Sequence, residues 1–338
     1  MNDFDKNISL TETLHLCCPR CKGQLQKSTK EYTCIACKKD FPIMYGIPDF
    51  RLFGDPYLGF ENDYTRTKLI VENMNRFNLE GLLKFYWSNS SETPDSLREK
   101  FVRAALLGED KAKEILKSLT RSRDDMNHSI LEIGCGTGGF LVPASKRYKR
   151  IVGVDIALRW LIVCRKRLEE VNIEVPLICC CAEFLPFSDN CFDQIVACAT
   201  IEHTRDQNAV LSESYRVLKE NGTIFISTSN RFSISVEPHV YLWGVGFLPR
   251  KLMGLYVKLF KGVEYKNKHL LSYFELNKLF LKFKDVKFSF PDIDDASIIQ
   301  FTPWEKLQAL IYRKIRTLSI FKAFLLLFGP VYYVFGRK

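Results

Sequence analysis

The sequence predicts an α/β fold built on a mainly parallel sheet, preceded by a small cysteine-rich module. Between about residues 128 and 230, short β-rich segments alternate with segments of helical apolar spacing. Alternation of this kind is typical of right-handed βαβ units, which produce a parallel sheet. Two CxxC pairs near the start of the chain indicate a separate module of different construction.

Each element of the sheet region follows from its own residue pattern. The expected strands are ILEIG, RIVGVDI, VPLICCC, FDQIVACA and GTIFISTS, and the expected helices are LRWLIVCRKRLEE and NAVLSESYRVLKE. After residue 230 the pattern is less regular. We expect a strand at VKFSF, one long helix from about residue 304 to residue 328, and a last strand at VYYVFG.

Composition narrows the class of protein. The chain has 338 residues, of which 46% are hydrophobic and 26% charged, so we expect a folded globular protein. The first residues contain no basic segment followed by an apolar run, which argues against a secretory signal. Twelve cysteines without such a signal indicate reduced thiols and a cytoplasmic location.

The net charge of +10 is concentrated in the last third of the chain. Residues 231–338 contain 18 Lys and Arg against 8 Asp and Glu, among many aromatic residues. Such a surface suits an anionic partner, although a simple solvated exterior explains it equally well. The apolar segment 323–335 is shorter than the roughly 20 residues that a membrane-spanning helix needs.

The paired cysteines predict a metal site. Cys18 and Cys21 form one CxxC pair and Cys34 and Cys37 the other, with twelve residues between the pairs. Each pair places two thiolates on one tight turn, so two turns complete a tetrahedral site for structural zinc. Cys17 is adjacent, but the CPxC turn favours Cys18 as the ligand.

A glycine-rich loop follows the first strand of the sheet region. The segment Gly134-Cys135-Gly136-Thr137-Gly138-Gly139 allows a tight turn and close approach of a ligand to the backbone. Asp155 ends the next strand, 21 residues after Gly134, where a carboxylate can accept both hydroxyls of a ribose. The loop alone also satisfies the fingerprint of dinucleotide-binding proteins, so an NAD-dependent oxidoreductase is an alternative.

Further segments carry a family resemblance. LEIGCGTG, GVDIA, AEFLPFSDNCFDQIVA, IEHT and RVLKENGTIFIST, taken in this order over about 100 residues, resemble the type 11 branch of class I methyltransferases. The resemblance implies a Rossmann-like seven-stranded sheet with helices on both faces, whose last antiparallel strand would be VYYVFGRK. It also implies S-adenosylmethionine as the cofactor.

The resemblance assigns roles to individual positions. Gly134, Gly136 and Gly138 would line the methionine part of the cofactor, with Glu132 reaching its amino end. Asp155 would hold the ribose, with Ile156 against the adenine. The rest of the adenine rim would be formed by Cys181, Ala182 and Glu183, and Cys198 would border the cofactor site through its backbone. An Asp commonly stands where this chain has Cys181. Because a thiol is a weak acceptor, either the cofactor affinity is reduced or Glu183 compensates.

Methyl transfer needs a base only if the acceptor must lose a proton. Glu202 and His203 follow the fourth strand, and His239 follows the fifth, both at the edge where ligands sit in open α/β folds. These three are candidate catalytic residues, with His239 slightly favoured, and each can equally be a structural polar residue.

The resemblance divides the chain into a zinc-ribbon module at 1–54, a helical lid or linker at 55–127 and a methyltransferase domain at 128–338. Residues 231–330 would contain substrate-facing insertions. Their segment NRFSISVEPHVYLWGVGFLPR resembles methyltransferases of surface-glycan or lipid-linked sugar pathways. The implied acceptor is therefore a small molecule or a glycan-linked or lipid-linked group. The expected helix 304–328 either packs its apolar face on the sheet, which we favour, or lies on an anionic membrane surface as a peripheral contact.

Three other functions remain open. A zinc-ribbon methyltransferase acting on RNA bases needs basic phosphate contacts. Nucleic acid is the weaker interpretation, because residues 1–50 are balanced at 7 Lys and Arg to 6 Asp and Glu. The other two are the NAD-dependent oxidoreductase and a non-catalytic protein that keeps the cofactor fold. The oligomeric state and the acceptor atom do not follow from the sequence.

Overall fold

A computed structural model of the chain describes residues 3–90, 93, 95–119, 125–293 and 303–338. Two compact units divide the chain. The first unit comprises Met1–Cys198, Arg205–Ile224 and Lys338, and the second comprises Ala199–Thr204 and Phe225–Arg337.

The N-terminal part of the first unit is a small antiparallel sheet preceded by a helix. Helix α1 spans Asp3–Glu12, and strands β1 (Leu25–Lys27), β2 (Glu31–Cys34), β3 (Asp40–Met44) and β4 (Ile47–Pro48) pair in sequence order. A small aromatic core of Tyr32, Phe41 and Phe50 lies beneath this sheet, with ring centroids 5.2 Å apart in both contacts of Phe50.

This N-terminal segment covers the edge of strand β7 (Leu177–Cys179). The side-chain amide of Asn7 accepts a hydrogen bond from the Leu177 N–H at 2.8 Å and donates one to the Leu177 carbonyl at 3.0 Å. The Phe50 N–H donates to the Cys179 carbonyl at 2.7 Å. The side chain of Asn7 and the main chain at Phe50 therefore satisfy backbone groups that an edge strand would otherwise leave unpaired.

Four helices follow, in the segment where the sequence predicts helical structure. They are α2 (Gly59–Asn73), α3 (Leu79–Ser88), α4 (Asp95–Leu106) and α5 (Gly108–Ser118). Apolar residues at helical spacing explain these elements: Leu79, Leu82 and Leu83 are buried on α3, and Ala112, Ile115 and Leu116 are buried on α5.

The main sheet is the predicted seven-stranded one. Its strands are β5 (Ser129–Ile133), β6 (Arg150–Asp155), β7, β8 (Phe192–Cys198), β9 (Leu218–Ser229), β10 (Lys284–Ser289) and β11 (Val331–Arg337), in the order β10-β11-β9-β8-β5-β6-β7. Strand β5 pairs in parallel with β6 and β8, and β6 pairs in parallel with β7. The residues of β5 are all buried, as expected for a central parallel strand.

The helices between these strands are α6 (Leu141–Ser145), α7 (Leu158–Glu170) and α8 (Gln207–Val217). Helix α7 matches the predicted segment residue for residue. Helix α8 ends earlier than predicted, because Leu218 already begins β9 in an extended conformation.

The second unit contains α9 (Arg250–Lys261), α10 (Tyr273–Leu279), α11 (Pro303–Arg316) and α12 (Lys322–Phe328). The last strand, β11, runs antiparallel to β10, which confirms the expectation for VYYVFGRK. The prediction of one helix over 304–328 is wrong, because a short 3₁₀ turn at Ser319–Phe321 separates α11 from α12. At this break the Thr317 hydroxyl donates to the Lys314 carbonyl and the Leu318 N–H donates to the Ile315 carbonyl, and both bonds compete with α-helical pairing.

In the described part of the chain, no helix combines the length and the apolar character needed to cross a membrane.

Candidate cofactor and metal sites

The four cysteines of the CxxC pairs converge. Their Sγ atoms all lie within 4.8 Å of one another. The Sγ atoms of Cys18 and Cys37 are 3.7 Å apart, and those of Cys21 and Cys34 are 3.4 Å apart. A tetrahedral zinc ion with Zn–S distances of about 2.3 Å places its sulfur ligands about 3.8 Å apart, so these thiols fit zinc.

The two turns that carry the cysteines have the same local geometry. The Lys22 N–H donates to the Cys18 carbonyl at 2.8 Å, and the Lys38 N–H donates to the Cys34 carbonyl at 3.0 Å. Both lysines have positive φ, 59° and 56°. The neighbouring Cys17 is buried, and the four-cysteine cluster of the described residues contains Cys18 in its place, in line with the choice that the CPxC turn favours.

The glycine loop after β5 leaves backbone open on one side. Gly134, Gly136 and Gly138 all have positive φ, of 74°, 50° and 78°. A Cβ atom added at Gly136 would meet no atom within 4 Å, whereas one added at Gly138 would lie 2.6 Å from the Cys164 Sγ. Gly136 therefore borders open space, and Gly138 packs closely against α7.

Asp155, at the end of β6, is tied to this loop. Its Oδ2 accepts a hydrogen bond from the Gly136 N–H at 2.8 Å, and its Oδ1 accepts one from the Ala157 N–H at 2.8 Å. Burial raises the pKa of Asp155 to about 6, against the opposing effect of these two N–H donors. Each oxygen keeps a second lone pair, which can accept a ligand hydroxyl.

Glu132 lies in the same interior. It is 4% exposed, and its Oε2 has no hydrogen-bond partner among the described residues. Burial, together with the charge of Asp155, raises the pKa of Glu132 well above its usual range. A buried carboxylate oxygen without a partner, next to open backbone, can accept a hydrogen bond from a ligand donor such as the amino group of S-adenosylmethionine.

The expected adenine-rim residues have other contacts in this structure. The Cys181 thiol donates to the Phe53 carbonyl at 3.6 Å, and burial raises its pKa to about 11, so it stays a neutral donor. The Glu183 Oε1 accepts from the N–H groups of Arg205 at 2.8 Å and Asp206 at 3.3 Å, just before α8. Glu183 thus anchors this loop. Ala182 is buried, and Cys198 is half-buried at the end of β8.

A buried charge cluster that the sequence analysis missed fixes the segment after β6. The Arg51 guanidinium bonds Asp49, Asp63 at 2.7 Å and the Ile156 carbonyl at 3.0 Å. Asp63 also accepts from Arg159 at 2.6 Å and from the Leu158 N–H at 3.0 Å, which caps the start of α7. Ile156 is therefore held by its backbone. In the sequence, the two acids and two arginines of this cluster are spread over about a hundred residues, and no short motif relates them.

In the second unit, the three candidate catalytic residues come together. The ligand atoms of Glu202, His203 and His239 lie within 4.8 Å of one another, and the two imidazole Nε2 atoms are 3.1 Å apart. The His239 Nδ1 contacts the Glu237 carboxylate, which also accepts from the Tyr265 hydroxyl at 3.3 Å. Burial, then the charges of His239 and Lys268, lower the pKa of His203 to about 3. Burial raises the pKa of Glu202.

Comparison with known proteins bears on the segment that contains the glycine loop and Asp155. Residues 131–226 match the family model described as a methyltransferase domain. The match begins in β5 and ends in β9, and it includes the glycine loop and Asp155. Residues 131–226 of this chain form a methyltransferase domain.

Sequence relatives of the methyltransferase domain include ubiquinone biosynthesis O-methyltransferases. The protein from Bartonella tribocorum is 30% identical over 147 residues, which cover 42% of this chain and 58% of the relative. The mitochondrial protein of Mus musculus is 25% identical over 182 residues, 51% of this chain and 47% of the relative. The chain thus spans about half the length of these curated relatives.

A similar solved structure is a SAM-dependent methyltransferase from Thermotoga maritima. It is 23% identical, with a TM-score of 0.45, and the match covers 72% of this chain and 97% of that one.

Proposed function

We propose that this protein is an S-adenosylmethionine-dependent methyltransferase that acts on a small-molecule, glycan-linked or lipid-linked acceptor. The observation that carries the proposal is the arrangement of open glycine backbone at Gly136, the ionisable acid Asp155 bonded to it, and the unpaired Glu132 oxygen beside them. When bound, the cofactor supplies a methyl group on a sulfonium centre with an excellent leaving group.

The residues of the loop have separable tasks in this proposal. Asp155 accepts the ribose hydroxyls, and Glu132 faces the amino end of the cofactor. Gly134, Gly136 and Gly138 give the backbone its turn, and the glycine at 136 keeps a Cβ atom out of the space that the cofactor needs. Ile156, Cys181, Ala182 and Glu183 border the adenine, with Cys181 and Glu183 acting through the loops they hold. Cys198 borders the cofactor site through its backbone.

Holding the acceptor close and aligned supplies much of the acceleration of a displacement reaction. We assign that task to the segment 231–330. Glu202, His203 and His239 remain the candidate catalytic residues of the second unit. We also retain residues 1–54 as a zinc-ribbon module and 55–127 as a helical lid.

Calorimetry with S-adenosylhomocysteine and with NAD tests the cofactor assignment on the full chain. We expect binding of S-adenosylhomocysteine and none of NAD. The opposite result would support the dinucleotide oxidoreductase, and binding of neither would remove the cofactor assignment.

The names of the relatives support an oxygen acceptor on a small molecule. The surface of the second unit supports a lipid-linked acceptor and peripheral membrane contact from a cytoplasmic location. Helix α9 buries Met253 and Val257, but it exposes Leu255 by 67% and Leu259 by 76% beside Lys251 and Lys258. An exposed apolar stripe flanked by lysines suits an anionic membrane surface.

Sedimentation with vesicles tests this part of the proposal. We expect binding to phosphatidylglycerol-containing vesicles that is weaker with pure phosphatidylcholine and lost in Leu255→Glu/Leu259→Glu. Both leucines are largely exposed, so the double variant should fold normally. Lys282→Glu, a charge change outside α9, is the control. Equal sedimentation of the double variant and the wild type would contradict membrane contact.

A further inference from the structure

The cluster of Glu202, His203 and His239 brings two half-buried imidazoles and one buried carboxylate together. Two neutral rings whose Nε2 atoms are 3.1 Å apart satisfy each other only if one nitrogen donates and the other accepts. A carboxylate oxygen of Glu202 and one ring nitrogen of each histidine lie within 4.8 Å of one another. Three atoms with lone pairs thus converge on one small volume.

The spacing matches that of ligands on one metal ion. Zinc–nitrogen bonds are about 2.0–2.1 Å long, so two nitrogens 3.1 Å apart subtend an angle of about 100° at the metal. This angle lies between the values for octahedral and tetrahedral coordination. Two imidazoles and one carboxylate are a ligand set used by both zinc and non-haem iron sites.

The surroundings orient the proposed ligands. The Glu237 carboxylate contacts the His239 Nδ1, which leaves the Nε2 as the ligand atom. A carboxylate behind a ligating histidine is the usual outer partner in metal sites. The ring of His203 hydrogen-bonds the backbone of Asn267, and the Thr228 hydroxyl donates to the Glu202 Oε2 at 2.9 Å.

Charge and burial also favour a cation. Glu202 is 0% exposed, and its Oε1 has no hydrogen-bond partner among the described residues. Glu237 is 5% exposed and lies near Lys268, so two carboxylates are buried in this region. An uncompensated buried carboxylate is costly unless it is paired or coordinates a metal.

We propose that Glu202, His203 and His239 bind a divalent transition-metal ion, with zinc as the best fit, and that Glu237 positions His239. Three protein ligands leave at least one coordination position for water or an oxygen of a small molecule. The site is separate from the four-cysteine site, and it does not depend on methyl transfer.

Cobalt titration of the full chain with its four-cysteine site loaded with zinc tests the proposal. We expect one further equivalent of Co²⁺ to bind, with visible d–d absorption and without the thiolate charge-transfer band that cobalt at the cysteines would give. His203→Ala and His239→Ala should each weaken this binding by at least about tenfold. His15→Ala, which alters an exposed histidine, is the matched control.

Glu237→Gln provides a variant that keeps all three ligands. We expect it to weaken cobalt binding by about 10–100-fold, the usual effect of removing an outer partner. Thermal unfolding of each variant, recorded without cobalt, separates a loss of the site from a loss of the fold. If the alanine variants do not fold, the cobalt affinity of Glu237→Gln decides whether the metal site exists.

Two results would overturn the inference. One is the absence of a further equivalent of cobalt, which would leave His203 and His239 as a proton-sharing pair. The other is a further equivalent that binds equally well to the folded histidine variants and to Glu237→Gln. Calorimetry with S-adenosylhomocysteine on the wild type reports on the proposed function separately, so the two failures are distinguishable.

Discussion

The backbone N–H of Gly136 donates a hydrogen bond of 2.8 Å to the Oδ2 of Asp155. The residue that would hold the ribose therefore also fixes the loop that would border the methionine part of the cofactor. One carboxylate connects the carboxyl ends of β5 and β6. A change at Asp155 should thus alter loop geometry and ligand binding together.

Replacing Asp155 by Asn should weaken the binding of S-adenosylhomocysteine by about tenfold or more. The variant loses a charge-assisted hydrogen bond worth about 1.5–3 kcal/mol, and its amide can accept only one of the two loop N–H bonds. Calorimetry measures the effect. Asp193→Asn is the matched control, because Asp193 bonds the Ser129 N–H away from the glycine loop. Unchanged affinity in Asp155→Asn would remove Asp155 from the proposed site.

Binding should also depend on pH. Burial, together with the charge of Asp55, raises the pKa of Asp155 to about 6, while the two loop N–H groups and Arg159 oppose the shift. Glu132 also lies near this carboxyl. The ionised form accepts the ribose hydroxyls, so the affinity for S-adenosylhomocysteine should fall about tenfold per pH unit below about 6. The Asp155→Asn variant should lack this dependence, and an equal slope in both proteins would assign the titration elsewhere.

Gly136→Ala should separate ligand binding from stability. A non-glycine residue at φ 50° costs about 1–2 kcal/mol, but the added methyl group meets no protein atom within 4 Å. Its Cβ enters the proposed cofactor space, so we expect a small loss in urea stability and a large loss of S-adenosylhomocysteine binding. Gly138→Ala, whose Cβ would lie 2.6 Å from the Cys164 Sγ, should lose more stability. If Gly136→Ala bound normally, the cofactor would not lie on this side of the loop.

Asp63→Asn should destabilise the first unit by about 3–5 kcal/mol, because it leaves Arg51 and Arg159 buried without their shared partner. Urea unfolding measures this loss. Asp110→Asn, which removes an exposed ion pair with Lys113, should change stability by less than about 0.5 kcal/mol. If both substitutions changed the free energy of unfolding by a similar, small amount, the buried cluster would contribute little to stability.

Zinc content should distinguish Cys18 from its neighbour Cys17. We expect Cys18→Ser to reduce bound zinc by one equivalent per chain and to lower the melting temperature, because a closed four-thiolate site stabilises its module directly. Cys17→Ser should keep that equivalent. Elemental analysis by mass spectrometry checks both, and loss of zinc from Cys17→Ser alone would reverse the ligand assignment.

Residue spacing along the chain was enough to predict several of the strands and helices. The strand β5 and the helix α7 follow from a β-rich run and from helical spacing, whereas the antiparallel direction of β11 was implied by the family resemblance. The cysteine cluster follows from a doubled spacing. The break between α11 and α12 was not predictable in this way, because apolar residues continue through it at helical spacing while Thr317 and Leu318 bond their own turn.

The missed parts of the site depend on distant residues. Arg51 meets Arg159 through Asp63, and Asn7 reaches Leu177 across 170 positions. The thiol of Cys181, an expected adenine-rim residue, is bonded to the Phe53 carbonyl, 128 positions away in the chain. No spacing rule relates such partners, because each contact is created by the packing of separate elements.

The contact of Asn7 and Phe50 with β7 has a practical consequence for anyone who trims this protein to its matched segment, 131–226. The shortened chain would present an open row of β7 amides and carbonyls to every other copy in solution. Fibrillar or amorphous self-association would then be expected, even if every residue around the cofactor were intact. Shielding of the sheet by the first fifty residues is thus a condition for handling the domain in isolation.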